Sequence, residues 1–286
     1  MRGPGQEDEG AHGEHGERRE RARLAAEPGE HRGYSDGTSG AHLHDASRST
    51  PGGIAAMPER HFVSYRFLKL DPAWRRLDEA TRQEHKLEFL AACGDIGADH
   101  LLQAFSLVGI RGDADIMLSL EVENLERIHE FGVVLNQSGL MQWCDVPYSY
   151  LGMRKGSEYS DEERLVPRPF RGKYVFVYPF VKTRAWYGMD PKERWRIMQG
   201  HIEKAKEWPM VDNHTTYSFG LDDQEFVVAF DTDDPGAFMD LVHALRPTEA
   251  SAYTERDTPS FTCIRMSVER ALAALDGEPV AAGEIR

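Results

Sequence analysis

An alternation of two kinds of apolar side chain runs from Tyr174 to Lys182. One set holds the aromatic residues and the lysine, and the other holds valines, so the period of two predicts a half-buried β-strand with two different faces. The first face comprises Tyr174, Phe176, Tyr178, Phe180 and Lys182, and the second comprises Val175, Val177 and Val181. Pro179 has no N–H to donate, which predicts interrupted strand pairing beside Tyr178.

A helix is predicted shortly after that strand. Asp190 and Pro191 form an N-cap followed by a proline at the first helical position, and Pro209 limits the helix to about Trp208. The predicted apolar stripe of this helix consists of Trp195, Met198, Ile202 and Ala205. At about 100° per residue, His201 falls just beside the stripe and therefore at the margin of the predicted core.

The pattern of strands and helices occurs twice from His61 onward. Each copy reads strand, helix, strand, tight turn, strand, helix. The turns are predicted at residues 111–113 and 220–223, and the second helix of the second copy opens with the pair Asp234 and Pro235. This order predicts an α+β fold of two ferredoxin-like modules in tandem, of the dimeric α/β barrel type.

The predicted modules have the boundaries 58–168 and 169–276. Residues 1–57 contain almost no large apolar side chains, so we expect a disordered tail, and residues 277–286 are expected to be a flexible C-terminus. Histidines within the tail are interpreted as part of that flexible segment rather than as a metal-binding tract. Met57 is an alternative natural start.

Composition narrows the class of protein. The chain of 286 residues is 40% hydrophobic and 29% charged, which predicts a soluble globular protein. The formal net charge of -14 argues against a nucleic-acid surface, and no apolar run approaches the roughly 18 residues that membrane insertion needs. Three scattered cysteines and the lack of a secretory signal pattern favour a reducing, cytoplasmic location.

The two copies differ at the positions that could carry chemistry. Tyr65 and Lys69 of the first copy align with Tyr178 and Lys182 of the second, so this pair is partly a property of the repeat. The first copy has no histidine that clearly matches His201. The difference predicts a functional site in the C-terminal half only.

His201 is the candidate ligand of that half. A histidine that simply satisfies its nitrogens at the edge of the core is the alternative interpretation. A non-haem metal would need a second ligand at helix spacing, but Ala205 stands at the position one turn on. A haem needs only one protein ligand and leaves the other face of its iron open, so a slot between this helix and the strand with Tyr178 and Lys182 would suit a porphyrin.

Four segments carry a resemblance to a known family. The stretches YPFVKTRAWY, MDPKERWRIMQGH, GLDDQEFVVAF and EASAYTERDTPSFT resemble the chlorite dismutase family of haem proteins, and within it the coproheme decarboxylases of bacterial haem synthesis. The resemblance extends over residues 60–270, approximately. It implies a homopentamer with the porphyrin in the second module. It also implies hydrogen-peroxide-dependent oxidative decarboxylation of two propionates of Fe-coproporphyrin III (coproheme), through a tyrosyl radical, to give haem b.

The resemblance assigns roles to residues of this chain. His201 matches the proximal iron ligand, Tyr178 the tyrosine that becomes a radical, and Lys182 a lysine that binds a propionate. Glu249 matches the carboxylate that accepts the other ring N–H of the proximal histidine. The further porphyrin contacts that it implies are Arg164, Pro179, Phe180, Val181, Trp186, Asn213, Arg246 and Ser251.

Two positions depart from the family pattern. Asn213 stands where chlorite dismutases have an arginine, which disfavours chlorite decomposition because no guanidinium holds the oxychlorine anion. Where actinobacterial decarboxylases have a distal histidine, this chain reads EYSDEE. The base that activates peroxide is therefore left open between Asp161, His214 and a water molecule. A haem-binding protein with weak peroxidase or catalase-like activity, or a haem sensor, is the alternative function.

Overall fold

The computed structural model of the protein describes residues 60–157, 159 and 167–278. Its strands are β1 (Phe62–Leu70), β2 (Leu101–Ser106), β3 (Ile116–Val122), β4 (Cys144–Met153), β5 (Tyr174–Lys182), β6 (Asp212–Asn213), β7 (Thr216–Tyr217), β8 (Phe226–Thr232), β9 (Thr254–Arg256) and β10 (Phe261–Met266). Its helices are α1 (Glu79–Gly97), α2 (Leu125–Leu135), α3 (Arg184–Gly188), α4 (Pro191–Ala205), α5 (Pro235–Leu245) and α6 (Val268–Leu275). Short 3-10 helices span Pro72–Arg76, Gly139–Trp143 and Glu249–Tyr253.

The longer strands join into a closed antiparallel ring. The first half of the chain contributes the order β4-β1-β3-β2, and β2 pairs with β10 of the second half. The ring continues through β5, β8 and β7, and β7 pairs with β4 through Met153 and Tyr217. Closure leaves these strands few unpaired edges.

Side chains from both halves fill the interior of the ring. Alternate residues of a strand point to opposite sides of a sheet, so every second residue of each strand points inward. The buried interior cluster consists of Val63, Tyr65, Phe67, Phe105, Leu107, Ala114, Met117, Tyr150, Phe170, Val175, Val177, Val227, Ala229, Phe261 and Cys263. The two halves therefore share one core.

The outer face of the sheet is covered differently in the two halves. In the first half, α1, α2 and α6 pack directly on the outward residues of β1, β2 and β3. This core consists of Leu68, Leu70, Trp74, Phe89, Ala92, Cys93, Ala104, Ile116, Leu118, Leu120, Val122, Phe131, Leu135, Leu140, Met266, Ala271, Leu272 and Leu275. In the second half, α5 packs on the sheet through Phe238, whose ring stacks on Phe176 of β5 with 3.8 Å between the ring centroids, and a cavity lies between α4 and the outward face of β5 and β8. Helix α4 thus leaves room for a ligand where the helices over β1, β2 and β3 do not.

The main predictions from the hydrophobic pattern are confirmed. The fold is α+β, and β5 has the predicted bounds, with its valines at 175 and 177 in the interior cluster. The predicted N-cap Asp190 accepts a hydrogen bond from the backbone N–H of Lys192, and α4 begins at Pro191 but ends at Ala205 rather than near residue 208.

Three details of the pattern were predicted wrongly. Trp195 is 53% exposed rather than part of the core stripe of α4. The hairpin of β2 and β3 closes through residues 107–115, a longer connection than the predicted three-residue turn. Tyr65 lies inside the ring whereas Tyr178 faces the outer cavity, so the alignment of these tyrosines is off by one residue, which reverses the face of a strand.

The predicted tail at residues 1–57 lies outside the described residues. Within the described part of the chain, the helices are too short or too polar to cross a membrane.

Candidate functional site

The cavity of the second half has a volume of about 1140 Å³. This exceeds the roughly 300–1,000 Å³ of ordinary small-molecule pockets. Outward residues of β5 and β8 form one wall: Phe176, Tyr178, Phe180, Phe226, Val228 and Phe230. Residues of α4 and α5 form the facing wall: Met198, His201, Ile202, Ala205, Phe238, Leu241 and Leu245. The dimensions and the apolar walls suit a large, flat, apolar ligand.

The alternation of β5 places its polar residues in this cavity. Tyr178 pairs with Val228 of β8, and both side chains line the cavity. The register of β5 shifts between Val181 and Lys182 where it pairs with β9, and Lys182 also lines the cavity. One strand thus presents a phenol and an amine to the same ligand space.

His201 presents its imidazole to the cavity from α4. Its Nδ1 lies 3.3 Å from Thr248 Oγ1, and that hydroxyl donates to the backbone oxygen of Leu245 at 2.7 Å. Because the hydroxyl proton is engaged, Thr248 Oγ1 accepts the Nδ1–H, which leaves Nε2 as the nitrogen available to a ligand. Burial, and to a smaller degree the charge of Lys182, lowers the pKa of His201 to about 4. The imidazole is therefore neutral near pH 7, as a metal ligand must be.

Glu249 does not make the predicted bond to His201. Its carboxylate accepts hydrogen bonds from Arg196 Nη2 at 2.9 and 3.1 Å, and both side chains are more than half exposed. The 3-10 helix that follows α5 turns Glu249 toward solvent, while Thr248, its N-cap, faces the imidazole.

Tyr178 is a half-buried residue whose ring forms part of the cavity wall. Burial raises its pKa well above the ordinary value, the charge of Asp257 raises it further, and the charge of Arg246 acts in the opposite direction. The hydroxyl is therefore protonated at neutral pH, and it can donate either a hydrogen bond or, on oxidation, its hydrogen atom.

Lys182 is buried, and its ammonium has aromatic neighbours. Its Nζ donates to the backbone oxygen of Ala250 at 2.8 Å and lies 4.7 Å from the ring centroid of Trp186. Burial lowers the pKa of Lys182 to about 8, against the opposing charge of Glu225. The group is therefore mostly charged at pH 7, and two of its three N–H donors remain for an anion.

Three further predicted residues line the same cavity. Arg246 pairs with Asp257 at 2.8 Å, and Ser251 Oγ donates to the backbone oxygen of Leu245 at 2.8 Å. Asn213, on β6, accepts hydrogen bonds from the backbone N–H and the hydroxyl of Thr215 at 2.8 and 2.7 Å. The predicted residues Phe180 and Trp186 line the cavity as well.

Pro179 and Val181 are not brought into the cavity. They alternate on β5 with the residues that line it and therefore point to the other face of the strand. The structure therefore does not bring their side chains together with the other predicted porphyrin contacts. Arg164 and Asp161 lie outside the described residues.

His214 is on the wrong side of the sheet to act as a base in the cavity. Its side chain is 1% exposed, its Nε2 lies 2.8 Å from Asp231 Oδ1, and its ring packs on Phe170 of the interior cluster. His214 is not among the residues that line the cavity, although its neighbours Asn213 and Thr215 are.

Asp212, His214 and Asp231 form a cluster with the spacing of a metal site, within 4.8 Å of one another. However, Asp212 pairs with Arg168, and Asp231 Oδ2 accepts the backbone N–H of Arg171 at 2.6 Å. The hydrogen bond from His214 lowers the pKa of Asp231, although burial alone would raise it. These bonds already engage the carboxylates, and the cluster is interpreted as a structural network.

Sequence reasoning missed several cavity residues. Phe226, Val228 and Phe230 alternate along β8 in the same way as the aromatics of β5, so the period of two would have identified them. Tyr187 and Glu225 are linked by a 2.6 Å hydrogen bond, and Thr248 bonds His201. These last contacts join distant segments, and the local pattern gave no signal for them.

Comparisons with known proteins identify the family of the chain. The family model described as chlorite dismutase matches residues 79–266. A protein of Mycolicibacterium smegmatis named coproheme decarboxylase is 29% identical over 174 residues, which are 60% of this chain and 75% of that protein.

Solved structures show the same fold. A mutant of the chlorite dismutase from Candidatus Nitrospira defluvii superimposes with a TM-score of 0.70 at 20% identity, over 76% of this chain and 95% of that one. The same protein in complex with imidazole gives the same values. A putative chlorite dismutase has a TM-score of 0.67 at 22% identity, over 76% of this chain and 99% of that one.

Proposed function

The chain belongs to the chlorite dismutase family, and from that premise we propose that it is a coproheme decarboxylase. Its substrate is Fe-coproporphyrin III, its oxidant is hydrogen peroxide, and its product is haem b. The observation that carries the proposal is one large apolar cavity that holds a neutral imidazole on α4 and a phenol with an ammonium group on β5.

The residues of the cavity fit an iron porphyrin with acidic side arms. The walls are aromatic and aliphatic, as a macrocycle requires. His201 offers Nε2 to the iron because Thr248 engages Nδ1. Lys182, Arg246 and Ser251 line the same space and suit carboxylates. The related protein named coproheme decarboxylase supports this choice of porphyrin.

The chemistry balances with one peroxide for each propionate. The bound iron porphyrin, which is also the substrate, supplies the centre at which hydrogen peroxide is reduced. Each ionised propionate loses carbon dioxide, one hydrogen atom and one electron and becomes a vinyl group. One hydrogen peroxide takes up that hydrogen atom, that electron and one proton and becomes two water molecules. Two such rounds convert coproheme to haem b.

Tyr178 and Lys182 have distinct parts in this reaction. Tyr178 loses an electron and its phenolic proton, and the neutral radical takes a hydrogen atom from the β-carbon of a propionate. Lys182 holds a propionate by charge and hydrogen bonds, which fixes the carbon chain near the phenol. Both side chains belong to the cavity face of β5, so a single strand positions both groups.

Hydrogen peroxide needs a base to accept its proton. His214 is excluded by its place inside the ring, so Asp161 or a water molecule remains as the proposed base. Asn213 is the neutral cavity residue at the position where chlorite dismutases have an arginine. Its neutral amide provides no positive charge to bind the chlorite anion, so we propose decarboxylation rather than chlorite decomposition.

We also propose the wider organisation that the resemblance implies. The ferredoxin-like modules extend over residues 58–168 and 169–276, and the chains assemble as a homopentamer. The protein works in the cytoplasm, without insertion into a membrane and without a nucleic-acid partner.

A mass spectrum of the porphyrin after peroxide addition tests the proposed function. Apoprotein is loaded with Fe-coproporphyrin III and treated with peroxide in small steps, with free coproheme as the control. We expect successive losses of two propionate carboxyl groups and accumulation of haem b. Bleaching of the macrocycle without these products would instead support a haem-binding protein with weak peroxidase activity, and rapid oxygen release from added chlorite would support a chlorite dismutase.

A further inference from the structure

A second phenol of the cavity has its own hydrogen-bond acceptor. Tyr187 lies on α3, lines the cavity, and donates its hydroxyl to Glu225 Oε2 at 2.6 Å. The same carboxylate oxygen accepts the backbone N–H of Lys182 at 2.7 Å. Glu225 is therefore held in place from two sides, and the phenol of Tyr187 points at a fixed base.

Tyr178 lacks this arrangement. In the described part of the chain its hydroxyl has no hydrogen-bond acceptor, although Asp257 and Arg246 lie close enough to affect its pKa. The Tyr187 hydroxyl is instead bonded to a carboxylate, and burial together with that bond raises its pKa above the ordinary value. Both tyrosines line one cavity, but only the phenolic proton of Tyr187 has a carboxylate acceptor within hydrogen-bond distance among the described residues.

This difference matters for oxidation. A phenol that loses an electron becomes strongly acidic, so the loss is easier when a base already holds the proton in a short hydrogen bond. Glu225 meets that condition for Tyr187 at 2.6 Å. The backbone N–H of Lys182 keeps the carboxylate in position at that moment.

We infer that Tyr187, with Glu225 as its proton acceptor, is a second redox-active tyrosine of the cavity. After hydrogen peroxide has oxidised the bound iron porphyrin, one electron passes from Tyr187 to it, and the phenolic proton moves to Glu225. The products are a neutral Tyr187 radical and a protonated Glu225 carboxyl. The inference rests on the proposed function for its porphyrin and its oxidant. It adds a second tyrosine, besides Tyr178, that can hold one oxidising equivalent.

Electron paramagnetic resonance of freeze-quenched samples tests the inference. The coproheme complex is mixed with peroxide, and the tyrosyl radical signal is compared among the full-length wild type, Tyr187→Phe, Glu225→Gln and Tyr174→Phe. Ring-deuterated tyrosine identifies the tyrosyl components by their narrowed hyperfine pattern. Tyr174 is the matched control, since it lies on the same outward face of β5 but is not part of the cavity wall, with Lys173 Nζ 5.4 Å from its ring. Porphyrin products are measured in the same wild-type samples.

We expect the wild-type signal to contain a component that is lost in Tyr187→Phe and in Glu225→Gln and is kept in Tyr174→Phe. A purely structural role for the Tyr187 hydrogen bond would lower stability without changing the signal, and an unchanged spectrum in Tyr187→Phe would overturn the inference. A wild type that forms the Tyr187 component but no vinyl product would defeat the proposed function and leave the inference standing. Vinyl product with no Tyr187 component would overturn the inference and leave the proposed function standing.

Discussion

Tyr178 is the residue whose replacement separates binding from chemistry. Its ring belongs to the cavity wall, so Tyr178→Phe keeps the apolar surface and removes only the hydroxyl. We predict that this variant binds Fe-coproporphyrin III within about threefold of the wild type, which corresponds to less than about 1 kcal/mol. It should release no carbon dioxide on addition of peroxide. Titration of the porphyrin absorbance gives the binding, and carbon dioxide detection gives the chemistry. Carbon dioxide release at the wild-type rate would remove Tyr178 from the mechanism.

The charge of Lys182 should make porphyrin binding depend on pH. Its pKa of about 8 means that the ammonium is charged at lower pH and is lost above that value. A bound carboxylate stabilises the charged form, so affinity for coproheme should fall as pH rises from 8, by up to about tenfold per pH unit. Lys182→Met is the control, and its affinity should be weaker but flat over the same range. An equal pH dependence in both proteins would show that another group is responsible.

At the scale of single residues, the sequence identified residues of the cavity better than it identified their contacts. His201, Tyr178 and Lys182 were identified from strand period, helix period and family resemblance, and all three line one cavity. Glu249 was assigned to the imidazole, but Thr248 makes that bond. Adjacent residues at the start of a 3-10 helix point in different directions, and a sequence does not fix where that turn begins.

Helix α4 carries His201, and its N-terminal cap stabilises it. Asp190 accepts the backbone N–H of Lys192 at 2.9 Å and that of Glu193 at 3.4 Å. Asp190→Ala should therefore lower the free energy of unfolding by about 1 kcal/mol. Urea denaturation measures the change. Trp195→Ala, on the exposed side of the same helix, should change it by less than about 0.5 kcal/mol. An unaffected midpoint in Asp190→Ala would argue against the cap.

At the scale of elements, periodicity was reliable where one face is buried. β5 and α5 begin where the alternation and the aspartate-proline pair predict. The error at Trp195 has a physical cause, because helix α4 borders a cavity rather than a packed core. Its cavity face therefore includes Arg194 and His201, and not only apolar residues. From hydrophobicity alone, a tryptophan that is exposed to solvent, such as Trp195, cannot be distinguished from one on the buried face of the helix.

The closed ring contains a buried ion pair that links strands and loops of the first half. Arg154 donates to both carboxylate oxygens of Glu121 at 2.5 and 2.8 Å, and the side chains are 4% and 2% exposed. Arg154 also donates to the backbone oxygen of Arg168. The pair is thus bonded to the segment that precedes β5 in the chain.

Glu121→Gln should destabilise the whole molecule. It leaves the Arg154 guanidinium buried without its counter-charge, which costs about 3–5 kcal/mol. The matched control is Glu130→Gln, because Glu130 and Arg127 form a pair of similar length, 2.7 Å, whose side chains are half exposed. That change should cost about 0.5 kcal/mol or less. Equal denaturation midpoints for the two variants would contradict the account of the interior.

At the scale of the whole molecule, the repeat predicted a barrel-type arrangement of two modules but not the strands that close it. The strand-helix-strand-strand-helix core of each copy and the α+β class are confirmed, but β4, β10 and α6 were not predicted. Closure depends on β2 pairing with β10 and β4 with β7, contacts between residues far apart in the chain. The cavity likewise depends on the distance between α4 and the sheet, which no local sequence pattern records.

A crystal structure of the complex with Fe-coproporphyrin III is the decisive measurement for the proposed function. We expect the macrocycle between the β5–β8 wall and α4, with its iron bonded to His201 Nε2 and a propionate against Tyr178 and Lys182. A macrocycle bound elsewhere on the protein, or an iron whose protein ligand is a residue other than His201, would refute the proposed site.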